Sequence, residues 1–539
     1  MTQSSPLLLL SIILVSMYKK KIIIFYTLFW CFILSSCKKS ESYYIIEDTN
    51  LLSPIVLNAS FKSDENPDVL IEDVYGTIIG DSIIEFRIPY IVDNKNLIPC
   101  IEYKGEKIVW DSNSVVYDTE NQNSNYINFN TPVILSVFDE HGNEKKYVIY
   151  VRTFTGLPIL WIETDERVDI TSKEEYVNAN FQLMENELTQ SSEEKLNTKV
   201  QIKCRGNSSY SSSPKKSYTL KFDQKISLLN EPKDKSWVLI ANYFDKAMVR
   251  NIIAYYMGMI SNLDYTPHFH FVELMLNGKY HGTYMLGDKL KIAENRVNVG
   301  KDGFLLEVDQ RAISENAPYF ETNMLSQPIN IKDPDVVIGD DNYNFIKQYV
   351  LKAEEVLFSD NFTNPENGWQ SYMDLESFVD WFLINEICKN GDAMSMYTSC
   401  YMNYKRDGKL KMGPLWDFDQ SLGNNNATPL YPTDGFLFQI YNNKWLMRLF
   451  EDPIFRNKAK ERFYYFYSRK DDILKKINSY VSYLKYSVEE NENRWHTMNE
   501  FLPYVNRDVL GSYQNEVSYL KMWLINRFEW MKTAFDNID

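Results

Sequence analysis

Three short runs of the chain carry residue types that could do chemistry together. The first is Arg205-Gly206-Asn207-Ser208-Ser209, followed by Pro214-Lys215-Lys216-Ser217-Tyr218. Its small residues let backbone N–H groups approach phosphate oxygens, and a lysine on the following strand meets their charge. A serine-rich hairpin with solvated lysines accounts for the same residues. The second run is Trp416-Asp417-Phe418-Asp419. Carboxylates two apart on a strand point the same way and together suit a hard divalent cation, whereas a turn or helix-cap carboxylate needs no ion. The third is Asn390-Gly391-Asp392, which follows a long helical pattern and precedes a hairpin turning at Asp407-Gly408. An Asp in a loop after a helix, with a hairpin leading to a second Asp, is the layout that phosphoryl transfer uses for a catalytic Asp and a metal-binding Asp. Asn-Gly-Asp is equally a good turn. His268 and His270 alternate on a strand, but with five histidines in the chain and no third ligand nearby they read as core or edge residues. Neither a Gly-x-Ser-x-Gly elbow nor a His-Glu-x-x-His helix occurs, which leaves a seryl hydrolase or zinc protease without its machinery.

The elements that must position these runs fall into two textures. Residues 51–155 read as all-β: short β-branched or alternating runs are separated by the turn formers Asp93 to Asn96, Lys104-Gly105 and His141 to Asn143. Strands at that spacing with no helical stretch predict an immunoglobulin-like β-sandwich. Thr155 to Pro158 is the expected boundary. Residues 157–539 read as mixed α and β. Strands dominate to about 310, around a helix expected over Lys246 to Met259. Helices dominate from about 340, where apolar residues recur at i, i+3, i+4 and i+7.

The N-terminal residues read as a targeting segment. Lys19, Lys20 and Lys21 precede an apolar run from Ile22 to Leu34, too short for a comfortable membrane span of ~20 residues. It ends in Leu34-Ser35-Ser36-Cys37, small residues before a cysteine, as in a lipoprotein lipobox. This predicts a signal peptide over 1–37, with Met17 a plausible true start, lipidation at Cys37, a polar tether over 38–50, and a lipid-anchored protein of the cell envelope. The remaining cysteines, Cys100, Cys204, Cys388 and Cys400, form no CxxC pair and read as free thiols. The formal net charge of -16 argues against general nucleic-acid binding, which needs a basic face. Aromatic residues at 15% also admit a glycan-binding surface, though an aromatic core explains them as well.

Taken in order, KCRGNSSY with PKKSYTLKFD, DKSWVLIANYFDKAMVRN, VELMLNGKYHGTYML, RVNVGKDGFLLEVD and KLKMGPLWDFDQSLGN resemble the CotH kinase family, in the form seen in Bacteroidetes lipoproteins. The resemblance runs over roughly 157–535 and implies an α+β atypical kinase-like domain that binds ATP and Mg²⁺ and phosphorylates serine on a partner protein. It implies Lys216, or alternatively Lys215, on the ATP phosphates, with Arg205 and Asn207 shaping the adjacent loop. It implies Asp392 as the catalytic-loop Asp and Asp417 and Asp419 as the source of the metal-binding Asp. Two positions depart from the pattern. Asp288 stands where a Glu usually pairs with the ATP lysine. The Asn expected for a second Mg²⁺ has no clear owner, Ser399 and Asn403 being the candidates. A catalytically weak CotH-fold module that binds or assembles in the envelope is the alternative.

Overall fold

The structure is a computed structural model. It describes residues 53–538 apart from 68–69, 71–72, 89–94, 112–114, 118–124, 154, 185–195, 503–504 and 506–507. Cys37, the targeting segment and the tether lie outside the described residues. Among those described, no helix is long and apolar enough to cross a membrane.

The N-terminal part is β-rich, as its texture predicts. A five-stranded sheet runs in the order Thr77–Ile79, Ile83–Ile88, Glu144–Thr153, Val133–Phe138, Lys107–Trp110, and its second pairing, Ile83–Ile88 with Glu144–Thr153, is parallel. Smaller sheets close over it around Phe61, Phe86, Phe129, Leu135 and Ile149. The last of these strands ends at Thr153, and the next element begins at Ile159.

Seven strands between Ile159 and Asp288 then close into a barrel. Period-two alternation builds it. On Leu196–Arg205, Val200, Ile202 and Cys204 enter the barrel core, so Lys203 and Arg205 point out of it. The neighbouring strand Ser217–Ile226 sends Tyr218 and Leu220 inward and Ser217 and Thr219 outward, with Arg205 opposite Ser217 and Lys203 opposite Thr219. The expected helix starts four residues late, at Arg250, because Asp245 holds the preceding turn and accepts from the Arg250 backbone N–H at 2.8 Å.

The C-terminal half is a second five-stranded sheet, Tyr319–Phe320, Ile329–Asp333, Phe304–Val308, Cys400–Tyr404 and Leu410–Met412 in spatial order, packed with helices. Helix Leu375–Cys388 is more deeply placed than its periodicity suggests: every residue from Ser377 to Cys388 is buried. Asp374 caps it by accepting from Ser377 N at 2.9 Å, and Lys389 ends it in the left-handed region.

Helix Ser487–Trp495 lies across the outside of the barrel. Asn491 Oδ1 accepts from Thr283 N at 3.2 Å and from Lys215 Nζ at 2.8 Å, and Trp495 Nε1 donates to His281 O at 2.9 Å. Gly282 makes this approach possible. Its φ is +97°, and a Cβ there would stand 2.5 Å from Asn491 Oδ1.

Candidate functional site

Between the outer wall of the barrel and the C-terminal sheet lies a cavity of about 850 Å³. Its barrel side carries cations. Lys203 and Arg205 reach it by strand parity, and Lys289 follows the last barrel strand. Burial pushes the Lys289 ammonium below its usual pKa, and Lys203 and Arg205 push it further the same way. Burial also lowers Arg205, against the pull of Asp417. The Arg205 guanidinium lies over the Trp416 ring, 5.2 Å from its centroid. Like charges held together with too little compensation form a site for an anion.

The opposite wall carries carboxylates. Asp392 sits in the short helix Gly391–Met394, directly after the buried helix. Asn390 Nδ2 donates to Asp417 O at 3.1 Å, which ties the Asp392 turn to the second acidic segment. That segment is not a strand: the hairpin ends at Met412, and Asp417 and Asp419 follow in irregular backbone. They face one cavity because Asp417 takes φ 63° and Phe418 between them is fully buried, its N–H donating to Asn251 Oδ1 at 2.7 Å. Left-handed backbone at a non-glycine residue costs of order 1–3 kcal/mol and clusters at functional sites; Ser399, beside Asp417, shares it at φ 58°. Asp392 and Asp417 are exposed to the cavity, where the surrounding protein displaces part of the water around each carboxylate. That displacement, with Asp417 adding to it, pushes Asp392 up to about 6. Burial raises Asp417 as well, and raises Asp419 well above the carboxylate range, with Asp417, Asp245 and Asp392 adding to it.

The structure thus brings Arg205, Asn207, Asp392, Asp417 and Asp419 to one cavity, and Ser399 with them. It does not bring the paired lysines. Lys216 Nζ donates to Tyr210 O at 2.5 Å and Ser213 O at 2.6 Å. Lys215 is buried outside the cavity lining, donating to Thr283 O at 2.5 Å and to Asn491. Nor does Asp288 pair with a strand lysine. It meets Arg296 at 2.7 Å and accepts from Tyr265 Oη at 2.7 Å and His268 N at 3.0 Å, away from the cavity lining. Asn207 accepts from Lys173 Nζ at 3.1 Å. Asn403 turns to Gly413 O at 3.1 Å, outside the cavity. His268 and His270 meet Glu231, at 3.9 and 2.7 Å, and among the described residues no group of three or more ligating side chains could hold a metal by itself. Sequence reasoning missed Lys203, Lys289, Glu307 and Arg311. Lys203 had a signal, since it alternates with Arg205 opposite Ile202 and Cys204.

Comparison with known proteins gives three findings. No curated protein matches the chain. A solved structure from Bacteroides thetaiotaomicron, described only as a candidate glycoside hydrolase, is 14% identical over 38% of this chain and 54% of that one, at a TM-score of 0.14. The match therefore spans about half of that chain, and its similarity is too low to bear on fold or activity. The description "CotH kinase protein" matches residues 202–531, well over half of the sequence and all of the cavity lining just described except Lys173 and Glu174. The chain belongs to the CotH kinase family.

Proposed function

We propose that this chain is an ATP-dependent protein serine kinase whose nucleotide lies in the cavity between barrel and C-terminal sheet. One observation carries the reading: the cavity sets cations, Lys203 with Arg205 and Lys289, the latter two held below their usual pKa by burial, against carboxylates, Asp392, Asp417 and Asp419, that burial raises. A polyphosphate with a divalent cation relieves both walls at once. Mg²⁺ takes one or two carboxylates and completes its shell with water and phosphate oxygens, so Asp417 and Asp419 fit it without a protein cage. Bound there, it would supply neutralisation of the phosphate charge. The chain's own residues do the rest. Lys203, Arg205 and Lys289 hold phosphate oxygens, and Asp392 takes the proton of the acceptor serine hydroxyl. A carboxyl near pKa 6 is a better proton acceptor than an ordinary Asp and still ionised at neutral pH. With Cys37 lipidated, the enzyme would stand at the envelope behind an immunoglobulin-like spacer.

Isothermal calorimetry with MgATP, beside a phosphorylation assay on the same proteins, tests the roles. Asp392→Ala should keep MgATP binding and lose roughly 100- to 10,000-fold in turnover. Asp417→Ala should lose both. Full activity in Asp392→Ala overturns the proton-acceptor role. Wild type that binds no nucleotide would leave the fold a binding or assembly module.

A further inference from the structure

Arg311 is built into the cavity on the same frame as Asp392. It lies in the turn Gln310–Ala312, which Asp309 caps by accepting from Arg311 N at 3.1 Å. Gln310 N donates to Tyr397 O at 3.0 Å, and Tyr397 N in turn donates to Asp392 O at 3.1 Å. The side chain is fixed as well. Arg311 Nε stands 3.1 Å from Asp309 Oδ1, and Nη2 donates to the buried Thr398 Oγ1. Its backbone anchor and its side-chain anchor are therefore neighbours on the loop that leaves Asp392.

The charge arrangement is unusual for a structural arginine. Arg311 is the cation that acts on both Asp392 and Asp417, beside the larger pull of Arg205 on Asp417, yet among the described residues its only ion pair is with Asp309. A guanidinium has five N–H donors, and among the described residues one side-chain hydrogen bond, to Thr398, uses them. Asp309 and Thr398 hold the charge back from the two carboxylates. The space so kept is cavity, bounded by the carboxylate proposed for the acceptor, the carboxylate proposed for the metal, and this cation.

We propose that Arg311 is a further catalytic residue of the site, a guanidinium that meets the phosphoryl group in transit between Asp392 and Asp417. The proposal rests on the nucleotide reading above. In the transfer the acceptor hydroxyl oxygen bonds to the γ-phosphorus, the bond from that phosphorus to the β,γ-bridging oxygen breaks, ADP leaves, and the hydroxyl proton passes to Asp392. Arg311 gains and loses no atom. It donates hydrogen bonds to the equatorial oxygens, where charge collects as the bonds exchange, the position at which a phosphoryl-transfer arginine acts. Its planar fork suits two oxygens at once, which a lysine's point charge does not.

Three proteins decide it: wild type, Arg311→Ala and Arg311→Lys, assayed for ATP consumption and, by calorimetry, for binding of MgATP, MgADP and MgADP with aluminium fluoride, a mimic of the phosphoryl group in transit. The expected result is MgATP and MgADP binding within about threefold of wild type. Turnover of Arg311→Ala should fall about 1,000-fold or more, with the extra affinity for the aluminium fluoride complex lost and Arg311→Lys recovering part of both. Should Arg311→Ala not fold, Arg311→Gln, which keeps a donor for Thr398, takes its place. Arg311→Ala within tenfold of wild type in turnover and in affinity for the fluoride complex overturns the assignment. So does a parallel loss of MgATP affinity, which would make Arg311 an ordinary ground-state anion contact. A wild type that binds none of the nucleotides overturns the site reading itself, and the assignment falls with it.

Discussion

A lysine serves an anion site only if its ammonium can reach the anion, and Lys216 is already held by two backbone carbonyls. Lys216→Ala should leave the calorimetric affinity for MgATP within about threefold of wild type. Lys203→Ala should weaken it about tenfold or more, the value of one charge-assisted hydrogen bond. Equal losses in both variants would restore the paired-lysine assignment. Lys215 makes a separate prediction. Burial lowers its ammonium from the usual 10.5 to about 7, with Glu273 opposing. Between those two values the unfolded chain binds a proton that the folded chain does not, so stability rises with pH from about 7 towards 10.5. Below about 7 both states are protonated, and this contribution is flat at its least favourable. Urea melts at pH 7 and 9 should show that rise in wild type and a smaller one in Lys215→Met. The carboxylates work in the opposite sense. Asp419 is held well above its ordinary range, so ionising it opposes folding at neutral pH. Asp419→Asn should therefore raise the melting temperature of the metal-free protein while reducing the further rise that Mg²⁺ produces. These carboxylates were legible as a pair in the sequence, because Asp417 and Asp419 stand either side of an apolar Phe. The reason they converge was not: a left-handed Asp417 and the Phe418–Asn251 contact are products of tertiary packing.

At the scale of elements, strand alternation was the dependable signal. The barrel obeys it, with Lys203 and Arg205 on one face and Ile202 and Cys204 on the other, although of the two cations only Arg205 was singled out from the sequence. Alternation failed for Lys215 and Lys216 because they precede the strand that begins at Ser217. Their side chains answer to a turn and to a distant helix, which no local period encodes. Helix Leu375–Cys388 shows the complementary failure, since periodicity predicts a half-buried helix and a large apolar core takes all of it. The contact between helix Ser487–Trp495 and the barrel yields an element-level prediction. Gly282 and Gly300 both have positive φ, but a Cβ at Gly300 meets nothing within 4 Å, whereas one at Gly282 meets Asn491 and Trp495. Gly300→Ala should cost only the backbone strain, of order 1–3 kcal/mol. Gly282→Ala should cost distinctly more and open residues 487–495 to protease. Equal melting temperatures for the two variants would show that the helix does not hold the barrel.

For the whole molecule, the boundary between Thr153 and Ile159 sets an expectation. Limited proteolysis should give a stable fragment beginning near 155, and a digest without one would count against two separately folded parts. A Cys37→Ala variant should leave the membrane fraction after a carbonate wash; retention there would argue against the lipid anchor. Mg²⁺ with ATP at about 100 times its Kd should stabilise the folded chain by about 2.7 kcal/mol, read as a rise in melting temperature. The bond between Lys215 and Asn491 spans 276 positions of sequence. A ribosome adding ~5–20 residues per second delivers Asn491 roughly 15–55 s after Lys215. Until then the Lys215 ammonium, which also donates to Thr283 O, lacks its second partner, and the Gly282 edge stands bare. A nascent chain halted before residue 487 should therefore hold its barrel loosely and remain a client for chaperones, and release of the last turns of helix should complete a part of the molecule made long before.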